Sequence, residues 1–206
     1  MDDPQVDLVV TGAALLATVD DQRREVPGGW VAIDHGLVHS IGAPADAPPP
    51  ATRRVRAEGC LVTPGLINTH HHMYQNLTRS FRPAVNGTLF EWLTTLYPRW
   101  AMLDEEAAYV SAWIGLAELA LGGCTTTTDH LYVHPRGGGD LISAEITAAR
   151  ELGMRFHPTR GSMSLSEKDG GLPPDSVVQD DDEILADSER LVAAHHDRSW
   201  GAMVRV

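Results

Sequence analysis

The chain has 206 residues, 43% of them hydrophobic, and a formal net charge of −12. That length accommodates one large domain or two small ones, and the acidic balance excludes a nucleic-acid backbone partner, which needs clustered Lys and Arg. Cys60 and Cys124 lie far apart and form no CxxC, which excludes a disulfide framework. No apolar run is long enough to span a bilayer, and the start Met1-Asp2-Asp3-Pro4 carries no signal-peptide core. A soluble cytoplasmic protein with no membrane partner is the expectation.

Residues 5–62 read as short strands separated by turn signals at regular spacing. Val6, Leu8 and Val10 alternate until Gly12 breaks the run, and Leu15, Leu16, Thr18 and Val19 follow. Residues 30–33 lead into Asp34-His35-Gly36, a hairpin turn, and residues 37–42 return as the partner strand. The Pro-rich residues 44–50 form a loop, and residues 54–57 form one more short strand.

After Pro64 strands alternate with helical patterns, the signature of βα units and a parallel sheet. The first strand covers residues 66–69. An irregular segment follows to about residue 103, with one helix over residues 89–97. A strong helix starts near Asp104, whose neighbours Glu105 and Glu106 favour the N-terminal dipole. Its apolar face is expected to carry Val110, Trp113, Ile114, Ala117 and Leu121, and Gly122-Gly123 ends it. The second strand covers residues 124–128, with Asp129-His130 at its end. A helix over residues 141–152 stops at Gly153. The third strand covers residues 154–158 and ends near Thr159-Arg160. Residues 161–179 form a loop long for a βα connection, read either as a lid or wall over a site or as a surface insertion. A helix over residues 182–195 follows, and residues 202–206 read as a strand just begun. The fold class is α/β: three βα units and the start of a fourth.

The most informative segment is Thr63-Pro64-Gly65-Leu66-Ile67-Asn68-Thr69-His70-His71-His72. A short apolar strand that ends in His-x-His puts His70 and His72 on one side of the chain, where two neutral imidazoles can grip one divalent metal. The cluster is internal and follows a Pro-Gly turn, unlike a purification tag. His71 points the other way. His70 and His72, Asp129 and His130, and Arg160 all fall at the C-terminal ends of strands, where barrel enzymes place their active sites.

On that segment, the preceding β unit and Gly123-Cys124-Thr125-Thr126, the chain resembles the amidohydrolase superfamily. Four further stretches are similar to its 8-oxoguanine deaminase branch, close to guanine deaminases and hydroxyatrazine-type aminohydrolases. They are Met73-Tyr74-Gln75-Asn76-Leu77-Thr78-Arg79-Ser80-Phe81, Thr128-Asp129-His130-Leu131-Tyr132, Arg160-Gly161-Ser162-Met163-Ser164 and residues 168–178. The resemblance implies the N-terminal part of a (β/α)8 TIM-like barrel, about strands one to four, in residues 63–206. A small incomplete β-sandwich in residues 1–62 precedes it. It implies one Zn2+, or Fe2+, bound by His70 and His72 together with residues of later strands. It implies that the acid/base Glu and Asp lie beyond Val206, so that no catalytic residue falls within this chain. His130, His134, His157, His195 and His196 do not fit the missing ligand positions.

The implied reaction is hydrolytic deamination of a purine-type ring, 8-oxoguanine first, by a metal-activated water, with urate and ammonia as products. The full-length parent is expected to be a homo-oligomer. In the family a Gln three residues after the second His reads the ring edge, here Gln75. Arg160 either bonds a ring oxygen or nitrogen or pairs with a nearby acid. Asp129 and His130 either support the metal site or satisfy loop backbone, and Trp92 and Trp100 either stack on a flat ring or belong to the core. An s-triazine aminohydrolase and a non-catalytic half-barrel remnant are the competing readings. The fragment alone is expected to be inactive, and open strand edges are expected to make it self-associate.

Overall fold

Residues 5–206 are those the computed structural model describes, and they divide after Pro64 into two units. The first contains β1 (Val6–Thr11), β2 (Leu15–Ala17), β3 (Glu25–Pro27), β4 (Trp30–Asp34), β5 (Leu37–Gly42), β6 (Ala51–Arg56) and β7 (Leu61–Val62). They form one sheet in the order β5-β4-β1-β6 and another in the order β3-β2-β7. The β4–β5 hairpin turns on His35 and Gly36, whose φ values of 49° and 76° are the two positive angles a type I′ turn requires. Asp7 Oδ2 accepts the His35 N–H at 2.8 Å and ties that turn to β1. Ala13, Leu16, Val31 and Ala57 are buried together with Val10, Val26, Ile33, Ile41 and Val62 packed against them, drawing on strands of both sheets.

The second unit contains β8 (Leu66–Asn68), α1 (Leu89–Trp100), α2 (Glu105–Leu121), β9 (Cys124–Leu131), α3 (Leu141–Leu152), β10 (Arg155–Arg160) and α4 (Asp181–His195). The three strands pair in parallel in the order β10-β9-β8, as helical crossovers dictate. Each helix starts where a short polar side chain supplies an acceptor to the free N–H groups of the first turn. Thr88 and Glu91 form a capping box on α1. Asp104, Asp140 and Asp180 cap α2, α3 and α4 through Ala107, Ser143 and Glu183. Gly153 closes α3 at φ 67°, in the left-handed region.

Four expectations change. Helix α2 turns its small side inward: Ala108, Ser111, Ala112, Gly115 and Leu116 are buried. Val110, Trp113 and Ile114 are about two-fifths exposed and Leu121 is 91% exposed. The reason is proximity, because α2 packs on α3 and on the 3₁₀ turn Met73–Thr78. A Cβ at Gly115 would lie 2.6 Å from Met73 Sδ and 2.5 Å from Asn76 Nδ2. The second strand is longer than its threonines suggest: β9 runs through Asp129 and His130 to Leu131, because β10 pairs with it up to Leu131. Helix α1 runs on through Pro98 to Trp100; proline lacks an N–H, yet the last turn tolerates it here. Residues 202–206 form no ladder, only a parallel bridge from Val204 to Phe156.

The core of this unit gathers Met73, Tyr74, Leu96, Trp100, Leu116, Leu131, Ile142, Ile146, Phe156 and Leu191. Residues 161–179 fold on themselves: Gln179 N–H bonds Met163 O, Glu167 N–H bonds Pro173 O, and Gly171 N–H bonds Ser166 O. Ser166, Val177 and Val178 are buried. No helix among the described residues is long and apolar enough to cross a membrane.

Candidate metal centre

Strand β8 stops at Asn68, whose Nδ2 donates to Thr127 Oγ1 on β9 at 3.0 Å. The chain then passes through His70, His71 and His72 into the 3₁₀ turn that buries Met73 and Tyr74. Alternation puts the first and third imidazoles together, and their Nε2 atoms lie 3.3 Å apart. His72 Nδ1 is 2.7 Å from the carbonyl oxygen of His130. A carbonyl only accepts, so Nδ1 carries the proton and Nε2 keeps its lone pair free. The His130 ring stacks on the His70 ring, with centroids 5.1 Å apart and planes at 13°. Tyr74 and Tyr132 meet the His72 ring in T-shaped contacts, with planes at 69° and 87°.

These two residues fit a metal. Zinc–nitrogen bonds of about 2.0–2.1 Å in tetrahedral array put two ligand nitrogens about 3.3 Å apart, which matches the observed separation. A carbonyl on the far nitrogen of His72 is the orienting contact that metal-binding histidines ordinarily have. Two imidazoles leave the remaining positions of a four-coordinate ion to other donors.

The end of β9 fastens this segment. His130 N–H donates to His71 O at 2.9 Å, Met73 N–H donates to Asp129 Oδ1 at 2.6 Å, and Thr159 Oγ1 donates to Asp129 O at 2.9 Å. Burial lowers the pKa of His71, and the neighbouring His72, Arg79 and His70 add to it against Glu118. Burial also lowers His130, followed by His72 and His70. Both rings are thereby kept neutral near pH 7. Burial raises Asp129 against the Met73 N–H, which favours its charged form.

A cleft of about 380 Å³ opens beside the pair, lined by His70, His71, His72, Gln75, Asn76, Thr78, Arg79, Ser80 and Trp92. Gln75 and Trp92 thus lie on the wall of the same cleft as the histidines. Trp100 does not line it. It is 1% exposed, its Nε1 donates to Thr78 Oγ1 at 3.1 Å, and Tyr74, Trp92 and Tyr97 meet its ring. Of the two roles open to Trp100, the structure shows the core one.

Arg160 makes the ion pair that was its other reading. Its side chain is 2% exposed and its Nε lies 2.8 Å from Asp187 Oδ2. Nη1 donates to Gly161 O and Nη2 to Gln179 Oε1, so both ends of the 161–179 loop hang on one guanidinium. His71 faces away from the pair, toward Gly115. His195 bonds Ser143 and His196 bonds Val206 O, away from the pair.

Tyr74 and Tyr132 were not singled out from sequence, nor was Glu145, a fully buried acid on α3. The signal for Glu145 was present: it stands in the stripe of Leu141, Ile142, Ile146, Ala148 and Ala149 that α3 buries. Among the described residues, Asp7, Asp34 and His35 are the three side chains close enough to share an ion. They are half-buried to exposed, and Asp7 already serves the His35 turn.

The profile of the amidohydrolase family matches residues 61–200. The 8-oxoguanine deaminase of Pseudomonas aeruginosa is 49% identical over 191 residues, which are 93% of this chain and 42% of that protein. Hydroxydechloroatrazine ethylaminohydrolase of Pseudomonas sp. (strain ADP) is 41% identical over 74% of this chain and 32% of its own length. Among solved structures, atrazine chlorohydrolase from Arthrobacter aurescens TC1 complexed with zinc superposes with a TM-score of 0.89 at 29% identity. The match covers 96% of this chain and 45% of that one. The chain therefore spans less than half the length of these relatives.

Proposed function

Because the chain belongs to the amidohydrolase family, we propose that it supplies the metal-binding strand end of a hydrolytic deaminase acting on a purine-type ring, with 8-oxoguanine as substrate. The observation that carries this reading is the 49% identity to an 8-oxoguanine deaminase over 93% of the chain. The separation of the two Nε2 atoms supports the metal side of it. In this reading β8, β9 and β10 are the opening strands of a (β/α)8 barrel in residues 63–206, and residues 1–62 belong to a β-sandwich. The whole protein is a homo-oligomer.

His70 and His72 would hold one zinc or iron ion, which when bound makes water a nucleophile at neutral pH. The residues of this chain do the rest of the local work. The His130 carbonyl keeps the His72 proton on Nδ1, so that the Nε2 lone pair would be available to the ion. The His130 ring braces His70. Gln75, on the cleft wall, offers an amide donor and acceptor to the edge of a heterocycle. Trp92 offers an apolar face for a flat ring. Arg160 holds the 161–179 loop in its fold.

The test is metal content together with ammonia and urate release from 8-oxoguanine by the purified protein that carries this chain. Bound zinc or iron and turnover, both lost in His70→Ala and His72→Ala, are expected. Faster release of an alkylamine from a hydroxyatrazine-type triazine would replace the purine reading, and the hydroxydechloroatrazine relative is the reason to run that substrate. Metal-free protein without either activity refutes the proposal.

A further inference from the structure

Two acids are sealed inside the second unit. Asp129 on β9 and Glu145 on α3 are both fully buried and lie close enough to influence each other's ionisation. Asp129 Oδ2 and both Glu145 oxygens have no hydrogen-bond donor facing them. A proton shared between the two carboxyls is the arrangement that leaves neither as a bare charge in the interior. For packing alone the pair is a poor choice, since apolar side chains of similar volume usually serve as well or better.

What the pair achieves is local. A proton held between Oδ2 and Glu145 would leave Asp129 Oδ1 to the N–H of Met73, which it accepts at 2.6 Å. Met73 is the residue directly after His72. The same strand end also holds His71 O through His130 N–H and His72 Nδ1 through His130 O. Three bonds thus join β9 to three consecutive residues of the histidine segment, and the shortest comes from the buried acid. Met73 itself is fully buried, so its N–H has no access to water as an alternative acceptor.

We propose that Asp129, oriented by Glu145, is a positioning residue that fixes where the backbone leaves His72 and so holds the two imidazoles in convergence. The proposal rests on the reading of His70 and His72 as a metal pair.

The test is a zinc titration of the 206-residue chain and its variants, read by NMR of the histidine ring nitrogens, with a thermal melt of each metal-free variant. Asp129→Ala is expected to bind zinc about 10–100-fold more weakly, the usual effect of losing an orienting contact. It is also expected to lose the protected His72 Nδ1–H signal. Asp129→Asn and Glu145→Gln keep a donor and acceptor between the two side chains and should stay within about threefold of the unsubstituted chain. Where Asp129→Ala does not fold, Glu145→Met decides. It fills the same space but leaves Asp129 Oδ2 alone, and at least about tenfold weaker zinc binding is expected. Unchanged zinc affinity and an unchanged His72 signal in the folded variant overturn the proposal. Absence of any zinc-dependent shift at His70 and His72 in the unsubstituted chain refutes the metal-pair reading instead. The metal-free His72 Nδ1–H signal then decides the positioning role alone.

Discussion

Replacing Gly115 by Ala sets two effects of known size against each other. Gly115 lies inside α2, and in an exposed helix interior the change stabilises by about 1 kcal/mol. Here the glycine is buried, and the new Cβ would stand 2.6 Å from Met73 Sδ and 2.5 Å from Asn76 Nδ2. Neither neighbour is free to swing away. Met73 is fully buried, and Asn76 Nδ2 donates to Ser111 O at 3.1 Å. Overpacking of this kind costs about 1–3 kcal/mol, and loss of the Asn76 bond adds about 1 kcal/mol. The net expectation is destabilisation of about 1–3 kcal/mol, a fall in Tm of roughly 2–12 °C for a chain of this size. Because Met73 follows His72, zinc binding should weaken along with it. Thermal melts with and without zinc measure both. A Tm at or above that of the unsubstituted chain would refute the reasoning, since it would show that propensity governs the site and that α2 does not press on the histidine segment.

Three other outcomes are expected. Burial, then the charge of Asp129, raises Glu145 well above an ordinary carboxylate. Its contribution to stability is therefore complete below the unfolded value of about 4.3 and declines as pH rises, by up to about 1.4 kcal/mol per pH unit. Urea unfolding from pH 5 to 7 should show the unsubstituted chain losing stability relative to Glu145→Gln, and parallel curves would contradict this. His134 goes the other way: burial, then the Arg160 charge, lowers it to about 4. Its contribution is complete above about 6.5 and is lost as pH falls toward 4, and His134→Gln should remove about 2–3 kcal/mol of that acid-side loss. Arg160→Met should cost about 1–3 kcal/mol through the lost bonds to Gly161 and Gln179 and the weakened pairing of Asp187, which keeps Arg190. It should also open residues 161–179 to proteolysis, and Arg160→Lys should not rescue them, because an ammonium cannot serve three acceptors in one plane.

Much of the second unit was legible locally. Asp104 stands where a helix begins and Gly153 where one ends, because capping and positive φ are properties of single residues. Helix α2 was misjudged for an equally physical reason. It is apolar around most of its circumference, so periodicity could not choose a face, and close neighbours selected the small one. In the cleft, His70 and His72 were legible because alternation puts residues two apart on one side, whereas Gln75 came from the family resemblance alone. Trp92 and Trp100 share one helix and a residue type, and only packing separated the one that lines the cleft from the one in the core.

The sequence by itself determined the alternation of strands and helices and the strand end that carries two histidines on one side. Both follow from the geometry of adjacent peptide units, to which distant residues contribute nothing. Only the tertiary structure decided that His130 O sets the His72 tautomer, that Asp187 takes Arg160, and that Glu145 is buried near enough to Asp129 to feel its charge. Each of these pairs joins residues 16 to 58 positions apart, and no local pattern encodes which buried polar group will be brought within hydrogen-bonding distance of which other.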